Sequence, residues 1–146
     1  MLTGQPWTRL EPLMERAGRL GVAARVRHLG HIEPGTMPAI YRAARAMIFP
    51  SLYEGFGAPP LEAMACGCPV AASLNGSLRE VCAGAVLELD PESVESIADA
   101  LDRIVADDDL RRRLRVAGTQ RAALFRWSDA ALKHTAVYAR AAERAR

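Results

Sequence analysis

Short apolar runs alternate along this chain with longer stretches in which apolar residues return every three or four positions. The runs read as strands buried on both faces, and the longer stretches as amphipathic helices. Met1–Gly4 reads as the tail of a strand. Arg9–Leu20 carries apolar residues at 10, 13, 14, 17 and 20; Pro12 falls early in it, so the helix begins near Leu10 and Gly21 ends it. Val26–Leu29 is a strand closed by Gly30-His31. Thr36 caps a helix from Met37 to about Arg45, with Met37, Ile40, Tyr41 and Ala44 inward. Ala46–Phe49 is a strand bounded by Pro50. Pro59 and Pro60 suit the first turn of a helix whose apolar face is Leu61, Met64 and Ala65, and Gly67 ends it.

The second half repeats the pattern. Val70–Ser73 is a strand. Ser77 and Glu80 have capping-box spacing, which predicts a short helix Leu78–Cys82 stopped by Gly84. Val86–Leu89 is the last strand. Pro91 opens a helix with Val94, Ile97, Ala98, Leu101, Ile104 and Val105 on one face. Asp107 and Asp108 suit the N-terminus of another, which runs to about Leu124. Ser128 caps an Ala-rich helix over 128–146, with Trp127 read as its core anchor rather than a stacking platform. Alternating strands and helices imply an α/β fold: a Rossmann-like, doubly wound parallel sheet with helices on both faces. Ligands of such sheets lie at the carboxyl ends of the strands. Residues 50–60 and Gly30-His31-Ile32 sit at such ends.

Composition changes this picture little. The chain has 146 residues, enough for one domain, of which 50% are hydrophobic and 25% charged. A net charge of +2 gives no argument for nucleic acid. Arg111-Arg112-Arg113-Leu114-Arg115 is most simply a solvated helix face, and contact with an acidic lipid surface is its minor alternative. No stretch approaches the roughly 20 apolar residues of a membrane span. Cys66, Cys68 and Cys82 are odd in number and lack a His partner cluster, so free thiols are expected rather than a disulfide or a zinc site. Free thiols and the lack of a signal peptide point to the cytoplasm.

The candidate chemistry lies in Pro50–Pro69, PSLYEGFGAPPLEAMACGCP. Gly55 and Gly57 leave the backbone bare, and a helix N-terminus follows, which together form a natural anion cradle. Glu54 and Glu62 lie beside it, eight positions apart. Carboxylates do not suit direct contact with phosphate, but they accept from hydroxyls. An anion cradle flanked by two hydroxyl acceptors describes a nucleotide sugar. The bland alternative is a strand, a turn and a helix with two solvated glutamates, and loop chemistry alone leaves both open.

The stretch FPSLYEGFGAPPLEAMACGCPV resembles the signature of the family-4 retaining glycosyltransferases of the GT-B fold, PSxxEGFGLPxLEAMAxGxPV. Glu54 and Glu62 take the acidic positions of its E-x7-E motif. Ala58 departs from the usual Leu, a change that keeps the backbone path but bears on sugar fit. RVRHLGHI, YRAARAMIFPS, PVAASLNGSLREV and AVLELDP follow in the family's order. The resemblance implies residues 1–146 as a single partial domain, the donor-binding C-terminal half of a GT-B enzyme lacking its first strand and helix. It implies that Glu54 contacts hydroxyls of the transferred sugar and serves catalysis. Backbone N–H groups of Gly55, Phe56, Gly57 and Ala58 face the sugar, and those near Leu61 face the diphosphate. Glu62 accepts from the ribose diol, and His31 and Ile32 flank the base; for His31 an exposed loop residue is the competing reading.

The implied reaction is transfer of a hexose from a UDP- or GDP-hexose to an acceptor hydroxyl with retention, without metal or other cofactor. The acceptor-binding domain and the Arg and Lys that neutralise the diphosphate have no counterpart here. The chain alone is therefore expected to be inactive, because departure of a nucleoside diphosphate needs stabilisation of developing charge. The alternative is a non-catalytic nucleotide-sugar-binding or self-associating fragment. With strand 1 of the order 3-2-1-4-5-6 absent, the fragment is expected to pair its strands directly or to exchange elements with a second copy. The whole enzyme would add a peripheral membrane contact. A phosphoacceptor receiver would need an Asp where the strand ends in Pro50-Ser51. A phosphorylase would need a cofactor lysine, and the one lysine, Lys133, lies in the last helix.

Overall fold

The computed structural model describes residues 1–4 and 10–144. Arg9 and the final two residues of the C-terminal helix prediction lie outside them. The chain divides into two compact units, Met1–Ala39 and Ile40–Arg146.

In the first unit, Leu2 forms a parallel bridge with His28, fixed by N–H donation from Leu2 to Arg27 O and from Leu29 to Leu2 O. This single bridge stands where the apolar run 26–29 predicts a strand. Helix α1 spans Glu11–Arg19 with Pro12 in its first turn, where a missing N–H costs nothing. Gly21 follows at φ 69°, so the expected stop is real. A 3-10 turn covers Ala23–Arg25. Helix α2 spans Met37–Ala43, two residues shorter than expected, and from Ile40 on, Tyr41 included, it belongs to the second unit.

The second unit holds the sheet. Strands β1 (Met47–Phe49), β2 (Val70–Ala72) and β3 (Leu87–Glu88) pair in parallel in that order. Their register aligns Ile48, Ala71 and Leu87 in one row. The helices between them are α3 (Ala58–Ala65) and α4 (Leu78–Cys82); α5 (Val94–Ala106), α6 (Asp108–Ala122) and α7 (Trp127–Arg144) follow. The row Ile48–Ala71–Leu87 packs with Leu89, Ala100, Ile104 and Leu114, so α5 and α6 cover that face. The result is a helix-rich Rossmann-like half-domain.

Packing corrects several details of the periodicity. On α3 the buried residues are Pro60, Ala63 and Met64; Leu61 is half-buried and Ala65 is exposed. On α5 only Ala100 and Ile104 are fully buried, while Val94, Leu101 and Val105 face solvent. Six apolar residues on one helical face exceed what two layers can cover, so the margins of the stripe stay wet. Trp127 is 92% exposed and α7 has no buried residue, so Trp127 does not anchor a core.

The arginines of α6 are not a uniformly solvated face either. Arg111 is buried, and its guanidinium donates to the carbonyls of Ile104 and Val105 at 2.7 and 2.6 Å, closing the C-terminus of α5. Arg115 donates to Gly67 O at 3.0 Å at the end of α3. Arg121 donates to Val81 O at 3.0 Å and to Glu80 O at the end of α4. One helix thus supplies cations to the negative ends of three others. Gly118 of α6 lies against Met64 of α3, where an added Cβ would meet Met64 Cγ at 3.0 Å. These contacts fix α3, the helix that carries Glu62. Cys66, Cys68 and Cys82 are free thiols, and burial raises Cys68 to about 11.

Candidate functional site

Parallel strands place the loops that follow β1 and β2 at the same edge of the sheet. The first loop, residues 50–57, carries Glu54; the second, 73–77, reads Ser-Leu-Asn-Gly-Ser. The second is a scaffold for the first. Ser73, fully buried, donates its hydroxyl to Ser51 O, and its N–H donates to Phe49 O at 3.2 Å. Asn75 Nδ2 donates to Leu52 O at 3.2 Å. Ser77 Oγ donates to Glu54 O at 2.9 Å. Gly76 adopts φ 56° against that same carbonyl, and a Cβ there would sit 2.9 Å from it.

The Glu54 carboxylate is held within its own loop. Ser51 Oγ donates to Glu54 Oε1 at 2.9 Å. A carboxylate has about four acceptor positions, so one such bond orients it and leaves most of its capacity free. Ser77 was expected to cap α4. Its side chain makes no cap bond, and its backbone is already helical. The hydroxyl is spent on Glu54 instead, because a part-buried loop carbonyl needs a donor more than a five-residue helix needs a cap.

Gly57 turns the loop into α3. It is the N-cap residue at φ 88°, and an added Cβ would fall 2.3 Å from Leu78 Cδ2. Only glycine meets both demands. Gly55 differs: nothing lies within 4 Å of its Cβ position. Phe56 is half exposed and meets the Phe125 ring edge-on at 6.1 Å. Pro59 and Pro60 have no N–H, so Ala58 and Leu61 are the N–H donors in the first turn of α3.

Glu62 stands exposed on α3. Its partner is Tyr41 of α2, whose hydroxyl donates to Glu62 Oε2 at 3.3 Å. Tyr41 is buried, and burial together with the adjacent carboxylate pushes its hydroxyl up to about 12. Glu54, Gly55, Phe56, Gly57, Ala58, Leu61 and Glu62 therefore form one continuous loop-to-helix edge. His31 and Ile32 belong to the Met1–Ala39 unit. There His31 is exposed in a bend and Ile32 is half-buried. Among the described residues, no cluster of three or more His, Cys, Asp or Glu could hold a metal ion. No helix among them is long and apolar enough to cross a membrane.

Sequence reasoning missed Ser51, Ser73, Asn75, Gly76 and Ser77 as supports, and Tyr41 as a partner of Glu62. The signal for four of the supports was present: Ser73, Asn75, Gly76 and Ser77 are small or polar residues in the loop directly after buried strand β2.

Residues 4–121 match the family model described as glycosyl transferases group 1. The chain belongs to that family. It is 40% identical over 117 residues to the O-antigen chain mannosyltransferase B of Escherichia coli, covering 80% of this chain and 30% of that protein. The glycosyl transferases group 1 domain described here thus spans under a third of that relative's length. Among solved structures it is similar to sucrose-phosphate synthase from Thermosynechococcus elongatus, with a TM-score of 0.86 and 31% identity over 98% of this chain and 38% of that one. Anabaena HepE in complex with UDP shares the fold, with a TM-score of 0.75 and 23% identity over 84% of this chain and 35% of that one.

Proposed function

We propose that this domain binds a nucleoside-diphosphate hexose and that the whole protein transfers the hexose, with retention, to an acceptor hydroxyl. One observation carries the reading. Glu54 is held at the carboxyl end of β1 by Ser51 and Ser77, eight residues before a second glutamate on the helix that the same loop feeds. Family membership supports glycosyl transfer as the chemistry.

On this reading Glu54 receives hydroxyls of the sugar, and Gly55 to Ala58 present backbone N–H groups to it. The N-terminus of α3 faces the diphosphate, and Glu62 accepts from the ribose. Charge on the diphosphate is met by peptide dipoles and not by a metal ion. The two prolines leave few donors for that task. The loop and α3 carry no Lys or Arg, so the leaving diphosphate needs cations from elsewhere and the domain's own part is donor binding. The same two prolines favour a second reading, donor binding without transfer.

The test is calorimetric titration with UDP, GDP and their hexose conjugates, with and without EDTA. One nucleotide is expected to bind, indifferent to EDTA. Glu62→Ala should weaken it by about tenfold or more, the scale of one hydrogen bond to a charged group. Glu54→Ala should weaken the sugar conjugate and spare the free nucleotide. Failure of every nucleotide and conjugate to bind would overturn the reading.

A further inference from the structure

We infer that Tyr41 is a positioning residue that aims the Glu62 carboxylate at the nucleotide's ribose; this rests on the reading of Glu62 as the ribose acceptor. Glu62 is exposed on α3, and an exposed glutamate samples many rotamers. Tyr41 is 7% exposed, and its ring is fixed by burial on α2. Its hydroxyl reaches Glu62 Oε2 at 3.3 Å. A buried, rigid donor thereby binds one oxygen of a mobile, exposed acceptor. Oε1 and the second lone pair of Oε2 stay open, which matches the two adjacent hydroxyls of a ribose.

The direction of the bond is fixed by chemistry. A carboxylate only accepts, so the phenol must donate. Burial and Glu62 itself keep the phenol protonated to about 12, so it remains a donor at any pH near neutral. Burial of the ring would be served equally by phenylalanine. The hydroxyl is therefore the part of Tyr41 that packing does not explain.

The experiment titrates UDP, GDP and their 2′-deoxy counterparts into the wild type, Tyr41→Phe, Glu62→Ala and the double variant, with the denaturation midpoint of each recorded. The wild type should prefer ribose to deoxyribose. Tyr41→Phe should lose roughly three- to tenfold in affinity for the ribonucleotide, the range of one hydrogen bond, and much less for the deoxynucleotide. In the Glu62→Ala background Tyr41→Phe should change nothing further. Equal losses on both sugars, or additive losses in the double variant, would overturn the inference. If Glu62→Ala abolishes ribose preference and Tyr41→Phe leaves it intact, Tyr41 is only structural and the reading of Glu62 stands. If Glu62→Ala leaves ribose preference intact, or if no nucleotide binds the wild type, that reading and this inference fall together.

Discussion

The hydroxyl of Ser77 donates to the backbone carbonyl of Glu54 at 2.9 Å, joining loops that leave adjacent parallel strands. Removing that hydroxyl tests whether it serves the loop or the helix. Ser77→Ala is expected to cost about 1 kcal/mol, the net value of one hydrogen bond. Amide exchange should quicken at Glu54–Gly57 and stay unchanged at Val81, which bonds to the Ser77 carbonyl and not to its side chain. Faster exchange confined to α4 would return Ser77 to the role of a cap.

The three glycines of this edge should respond in rank order. Gly57→Ala combines φ 88° with a contact 2.3 Å from Leu78, so a loss of about 2 kcal/mol or more is expected from overpacking plus backbone strain. Gly76→Ala meets the Glu54 carbonyl at 2.9 Å at φ 56°, and it should loosen that loop as well as destabilise the fold. Gly55→Ala meets nothing within 4 Å and should leave stability within about 0.5 kcal/mol of the wild type. Urea unfolding of the three variants checks the order, and a Gly55 variant as unstable as that at Gly57 would contradict it.

Periodicity located these elements because an apolar run or a 3.6-residue stripe is a local property. It found β1, β2 and β3 within a residue or two, and the loop carrying Glu54 between β1 and α3. It failed where the outcome depends on a distant partner. Ser77 and Glu80 satisfy the local rule for a capping box, yet a carbonyl 23 positions away takes the hydroxyl. Trp127 has the apolar bulk of a core residue but stands almost fully exposed among the described residues. Arg111 looks like its neighbours Arg112 and Arg113 until α5 ends beside it. Tyr41 read as an inward apolar residue, which its ring is; the hydroxyl's partner lies 21 positions on.

Arg111 and Arg112 should separate cleanly on substitution. Arg111→Ala would strip the Ile104 carbonyl of its side-chain donor and leave the Val105 carbonyl to Arg45 alone, which reaches it at 2.9 Å. Arg112 pairs on the surface with Asp109, an exposed ion pair of little net worth. Thermal unfolding should show a clearly lower midpoint for Arg111→Ala and an unchanged one for Arg112→Ala. Equal midpoints would restore the uniformly solvated face.

Tyr41 gives the fold an alkaline limit. Its hydroxyl ionises at about 12 in the folded chain against 10.0 when unfolded, so between those values the folded state holds a proton that the unfolded state has lost. Stability from this group is complete below pH 10 and declines as pH rises toward 12. The total is roughly 2 to 3 kcal/mol for a shift of about two pH units. Tyr53 and Tyr138 are exposed, so the phenolate absorbance rise tied to unfolding should come from Tyr41. Tyr41→Phe should remove that step and reduce the fall in unfolding free energy, most clearly between pH 11 and 12, above the range in which the buried Cys68 thiol adds its own fall. A wild-type profile already flat across that window would mean that the phenol is neither buried nor held against Glu62 in solution.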